Sequence, residues 1–102
     1  MIIDRKRYDT NLASKIASRW NGCSRSDSHF VEESLYRTDK GAWFLHGAGG
    51  SESKYASVSA DGTKSNYNET IVPVSDDEAA DWLALYHPGL FEEYFSHFAQ
   101  NA

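Results

Sequence analysis

The sequence predicts an α+β domain, a small antiparallel sheet of about four to five strands packed by an N-terminal helix and two C-terminal helices. Three observations carry this reading. Apolar residues recur at helical spacing in three segments, short apolar runs are separated by glycine-bearing turns, and a serine-to-glutamate capping box marks one helix start. There is no internal repeat and no linker long enough to divide residues 1–102 into two domains.

The opening residues IIDRKRY are β-branched at their start and then broken by charge, which predicts a brief edge strand. Leu12, Ala13, Ile16, Ala17 and Trp20 fall at i, i+1, i+4, i+5 and i+8. That spacing predicts an amphipathic helix over 10–21, capped by Asp9 or Thr10 and closed by Asn21 and Gly22. After the polar link NGCSRSDS, the segments HFVEESLYR and AWFLHG flank TDKG, where Gly41 can supply the positive φ of a three-residue hairpin loop. YASVSA alternates and meets Asp61 and Gly62, a two-residue hairpin signal. TIVPV resumes as a strand, which Pro73 confines to an edge or ends.

In VSDDEA, Ser75 and Glu78 form the capping box, Val74 and Ala79 occupy the hydrophobic-staple positions, and Asp76 and Asp77 sit at the positive end of the helix dipole. A second helix starts there, with Ala79, Trp82, Leu83 and Tyr86 on its apolar face. His87-Pro88-Gly89 stops it, because the residue before a proline avoids the helical region. Leu90, Phe91, Tyr94, Phe95 and Phe98 repeat the same stripe on a third helix.

Trp20, Trp43 and Trp82, with six Tyr and five Phe, provide large side chains for a core and exclude disorder for most of the chain. The single Cys23 can make neither an internal disulfide nor, alone, a zinc site, so nothing requires an oxidising compartment. No apolar run approaches the roughly 20 residues that span a bilayer, and MIIDRKRY lacks a signal-peptide core. The expectation is a cytoplasmic protein without a membrane partner.

Charge is unevenly distributed within the net −5. Residues 1–54 carry nine Lys or Arg and seven Asp or Glu, whereas residues 55–102 carry one Lys and eight acids. Direct nucleic-acid binding through phosphate neutralisation is disfavoured, since it wants a basic face. A basic protein or nucleoprotein complex suits the acids Asp76, Asp77, Glu78, Asp81, Glu92 and Glu93 better; the plain reading is a solvated helix face.

GAWFLHGAGGSESKY, residues 41–55, raises the question of a phosphate cradle. Gly47, Ala48 and Gly49 are followed at the third fingerprint position by Glu52, and Lys54 lies between Ser53 and Tyr55 where a P-loop needs Gly-Lys-Ser/Thr in succession. The block reads instead as a strand and tight turn whose glycines, Gly47, Gly49 and Gly50, permit unusual φ or close backbone approach and, with Lys54, shape an exposed loop surface expected to engage a partner. His29, His46, His87 and His97 lack helical i, i+4 pairing, so no metal site and no cofactor is expected. Glu32 and Glu33 are adjacent and fall on opposite strand faces, so they do not form a carboxylate pair. An enzyme or nucleotide-binding accessory role would have to use the glycine loop, His46 and Lys54. A third possibility is a plain accessory factor whose surface serves self-association.

The blocks RYDTNLASKIA, NGCSRSDSHFVEESLYRTDKGAWFLHGAGGSESKYA and IVPVSDDEAADWL resemble a family of small bacterial proteins that recurs on phages and other mobile elements. The resemblance covers roughly residues 7–86, and its most specific part is Phe-Leu-x-Gly-x-Gly-Gly followed by Ser-Lys-Tyr-Ala. Where that family tends to carry proline or methionine before Ser53, this chain has Glu52, and its stretch near 61–70 is poorer in glycine. The resemblance brings no catalytic residue. It implies a non-enzymatic binding protein, similar in size and charge to inhibitors of bacterial defence such as anti-CRISPR proteins, which occupy a surface on a nucleic-acid-binding complex.

Overall fold

The protein, as a computed structural model, is described over residues 1–99. Its elements are β1 (Ile2–Ile3), β2 (Lys6–Arg7), β3 (Ser14–Trp20), β4 (Val31–Arg37), β5 (Trp43–Gly49), β6 (Asn68–Val74), α1 (Asp76–Tyr86) and α2 (Pro88–Phe95), followed by a 3₁₀ turn at Ser96–Phe98. The strands β3-β4-β5-β6 form a four-stranded antiparallel sheet in chain order, and β1 and β2 pair separately as a hairpin. The α+β class and the two C-terminal helices are as expected; the N-terminal helix is absent.

Residues 14–20 form a strand where helical spacing predicts a helix, and the physical reason lies in one irregularity. The β3–β4 register slips between Lys15 and Ala17, leaving Ile16 as a bulge. Two successive residues, Ile16 and Ala17, therefore both pack against the core. A strand that places neighbours inward breaks its own period of two, and its apolar pattern then matches a helix. The other members of the supposed stripe are not buried: Leu12 is 72% exposed and Trp20 59%.

The β4–β5 hairpin closes as expected. Thr38 N–H donates to the Ala42 carbonyl at 2.8 Å and Gly41 takes φ +87°, so Asp39, Lys40 and Gly41 make the three-residue loop. YASVSA does not become a strand. Only an isolated bridge between Val58 and Lys64 forms, around a loop at 60–62 in which Gly62 takes φ +86°. The turn chemistry is present, but Ser57, Ser59 and Ser65 offer no apolar face to bury, and Val58 stays 58% exposed. β6 lies at the sheet edge, where Pro73 sacrifices no ladder bond to a further strand.

Register separates the two faces of the sheet. Leu35 opposes Leu45, which opposes Val72, and Trp43 opposes Val74. This face meets α1 and α2, and its core joins Leu35, Trp43 and Leu45 to Ala79, Ala80, Trp82, Leu83 and Phe95. Burying a Leu or Phe side chain fully is worth about 1.5–3 kcal/mol. Phe44 lies on the opposite face and is also fully buried, because Tyr36 stacks on it at 5.2 Å and Tyr8 meets it edge-on at 5.6 Å. The N-terminal hairpin is thus anchored through Tyr8 to the face that the helices leave open.

Both helix ends follow from the sequence. Ser75 Oγ accepts from Glu78 N–H at 3.1 Å while Glu78 Oε1 accepts from Ser75 N–H at 3.0 Å. His87 ends α1 and precedes Pro88 at the first turn of α2, a position where a proline's missing N–H costs nothing. His87 Nε2 also lies 2.7 Å from the Ser18 carbonyl, tying the helix junction to β3.

Candidate functional site

The most organised polar group in the molecule lies under the glycine block. Along β4, Val31, Glu33 and Leu35 share the helix-facing side, so an acid occupies a core position, with no exposed surface. Four donors converge on it. Arg19 Nε at 2.9 Å and Trp82 Nε1 at 3.1 Å donate to Oε1, and Lys54 Nζ at 2.6 Å and the Tyr55 hydroxyl donate to Oε2. Burial alone would raise the Glu33 pKa, but the bonds from Lys54, Tyr55, Trp82 and Arg19 outweigh it and hold the carboxyl at about 2. The same burial, together with the bond to Glu33, raises the Tyr55 phenol well above its ordinary value.

Chemically this centre is saturated. Two donors on each oxygen use the acceptor capacity of the carboxylate, so Glu33 is not available as a general base. Its role is to orient cations: Arg19 is held 4.5 Å from the Tyr86 ring, and Lys54 is held on the carboxylate with much of its side chain in solvent.

The glycines of residues 41–55 explain how Tyr55 reaches this centre. Gly47 opposes Glu33 across the ladder, and a Cβ there would collide with the Tyr55 ring. A Cβ at Gly49 would lie 2.8 Å from Ser53 Cβ and 2.9 Å from the Phe30 carbonyl, and one at Gly50 would lie 2.5 Å from the Ser28 carbonyl. Gly47, Gly49 and Gly50 all have negative or extended φ, so close approach is what each position requires. Gly47 and Gly49 belong to β5 rather than to a loop, and Gly47, Gly49 and Gly50 are all buried by these close contacts, so of the expected loop surface only Lys54 is exposed.

The residues an enzyme reading needs are not brought together. His46 opposes Ser34 and Ile71 on the sheet face away from Glu33, whereas Lys54 sits on Glu33 at the helix face. His29 is exposed beside Asp27, His87 is bound to Ser18, and His97 packs on Phe98. Among the described residues no three His, Cys, Asp or Glu side chains cluster in a way that could hold a metal ion. Cys23 is free and half-buried.

The six helix acids fall into two groups. Asp76, Asp77, Glu78 and Asp81 are exposed on α1, and Glu92 and Glu93 are exposed on α2. Residues 65–102 contain no Lys or Arg, so neither helix has a cation of its own. The ion contacts of the described residues are Arg19–Glu33, His29–Asp27, Lys54–Glu33 and Lys64–Glu52, and none involves these six.

Sequence reasoning missed Glu33, Arg19, Tyr55 and Trp82 as a unit. The signal for it was the alternation Val31, Glu33, Leu35, which puts a charge where the pattern demands an apolar residue. Comparison of the chain with family models, with curated proteins and with solved structures returned no match. No helix of the described residues is long and apolar enough to cross a membrane.

Proposed function

We propose that this chain is a non-enzymatic protein-binding module whose acidic helix layer docks on a basic surface of its partner, a protein or nucleoprotein complex. The observation that carries the reading is the one-sided charge of α1 and α2: six exposed carboxylates, no Lys or Arg, and no internal ion pair. Such a face competes for side chains that otherwise bind phosphates and speeds encounter through complementary potential. With the sequence resemblance, this points to an inhibitor of a bacterial defence complex carried by a phage or mobile element, in the manner of an anti-CRISPR protein. The saturated Glu33 centre fits a role in holding the sheet, helices and glycine block together rather than in chemistry.

The test is affinity capture from a bacterial lysate on immobilised protein, repeated with Asp76, Asp77, Asp81, Glu92 and Glu93 changed to Asn or Gln. Capture of a basic complex that is released between 0.1 M and 1 M salt, where the Debye length falls from about 10 Å to about 3 Å, and is lost with the neutralised variant, is the expected result. Capture unchanged by salt and by neutralisation overturns the acidic-surface reading.

A further inference from the structure

A second charged region lies on the face of the sheet that the helices do not cover. Between the N-terminal hairpin and the β4–β5 loop is a cleft of about 530 Å³, lined by Arg5, Lys6, Arg7 and Lys40 together with Tyr8, Thr38, Asp39 and Ala42. Its volume falls within the range of small-ligand sites, about 300–1,000 Å³. Four cations face a single acid there, and none of the four takes part in an ion pair among the described residues. In a chain of net charge −5, this is a concentration of positive charge that the fold itself leaves unneutralised.

The backbone is strained to produce it. The hairpin turns at Asp4 and Arg5, which take φ +52° and +66°, the left-handed conformation a two-residue hairpin demands. Glycine or asparagine suits that turn, and an arginine in it carries backbone strain. Arg5, the strained residue, lines the cleft. The floor, by contrast, is fixed: Tyr8 is 7% exposed, seated on Phe44, and bound through its N–H to the Met1 carbonyl at 2.7 Å. Across the cleft, the loop carrying Lys40 is closed by Thr38, whose Oγ1 accepts from Ala42 N–H at 3.0 Å.

From an aromatic floor, four basic residues lining one cleft and a volume in the small-ligand range, we infer that the cleft binds a phosphate-bearing anion with two or three linked phosphates. Arg5 and Arg7 supply planar, bidentate donors and Lys6 and Lys40 point charges, the usual division of labour in phosphate recognition. The site is separate from the acidic helices and from Glu33, so it stands or falls independently of the proposed docking surface.

The experiment is calorimetric titration of the full chain with ATP and with tripolyphosphate at low salt. Saturable one-site binding is expected, equal affinity for the two probes placing recognition on the phosphate chain and tighter ATP binding adding the nucleoside. Arg5→Gly removes the charge and relieves the strained φ, so it should weaken binding about tenfold or more while leaving the melting temperature unchanged or higher. Lys40→Glu should weaken binding as much, whereas Lys64→Glu, outside the cleft, should not. The inference is overturned if neither probe saturates, if Arg5→Gly and Lys40→Glu both bind like the wild type, or if Lys64→Glu is equally damaging. It is also overturned if a single-stranded thymidine oligonucleotide binds more tightly than ATP with affinity that grows with length, which would make the cleft part of a nucleic-acid path.

Discussion

Lys54 Nζ lies 2.6 Å from Glu33 Oε2, which seats a side chain that is more than half exposed on a carboxylate with no exposed surface. The two residues come from segments with no local relation, and Gly47, opposite Glu33 in the ladder, lacks the Cβ that would collide with the Tyr55 ring on its way to the same carboxylate. The glycine block therefore ends in a polar anchor inside the core.

Replacing Glu33 with Gln should cost roughly 3 kcal/mol of stability, because it removes the charge that two cations and two further donors surround. Urea denaturation measures this directly. A loss below about 0.5 kcal/mol would show that the centre is not a structural anchor.

Stability should fall on acidification through this same residue. Its folded pKa is about 2, below the ordinary value of 4.5, so its contribution is present above the unfolded pKa and is lost as pH falls from the unfolded value towards 2. The size of the contribution at neutral pH is on the order of 3 kcal/mol. Denaturation midpoints from pH 6 to pH 2 should drop in the wild type and be flatter in Glu33→Gln.

Tyr55 should act at the alkaline end. Its folded pKa is raised above the ordinary value of 10, so its contribution is complete below that value and fades as pH climbs through the higher folded one. Tyr55→Phe should lower stability at neutral pH and remove this alkaline dependence, as followed by circular dichroism.

Glycines of different geometry should respond differently to alanine. Gly47→Ala collides with the Tyr55 ring and Gly50→Ala with backbone carbonyls, so each should lose more than about 2 kcal/mol or fail to fold. Gly89, in the first turn of α2 with nothing near its missing Cβ, should gain up to about 1 kcal/mol as alanine. Equal effects at all three positions, in thermal melts, would contradict the close-approach account.

At the start of α1, Ser75→Ala should cost about 1 kcal/mol, since it leaves the Glu78 N–H without its acceptor. Glu78→Gln should cost less, because an amide oxygen still accepts from Ser75 N–H. Thermal unfolding of the two variants gives the order.

Local signals survived into the structure wherever a few neighbouring residues settle the geometry. The capping box at Ser75 and Glu78, the loop glycine at 41, the proline at 73 on an edge strand and the aromatic stripe from Leu90 to Phe98 are of this kind, since caps, φ preferences and missing donors act within a few residues. These signals by themselves determine the α+β class, the β4–β5 hairpin and the two C-terminal helices.

Tertiary contact decided the rest. Residues 14–20 became a strand because β4 offered a partner whose ladder bonds and core face outweigh a helical apolar pattern, with the bulge at Ile16 reconciling the two. Residues 56–60 met no such partner and stayed a loop. The Glu33 centre draws Arg19, the adjacent Lys54 and Tyr55, and Trp82 from three parts of the chain, and the basic cleft joins the tip of one hairpin to the loop of another. Charge at a core position, or at a turn, is visible in a sequence; which distant groups neutralise it depends on chain segments meeting in space, and that is fixed only when the fold closes.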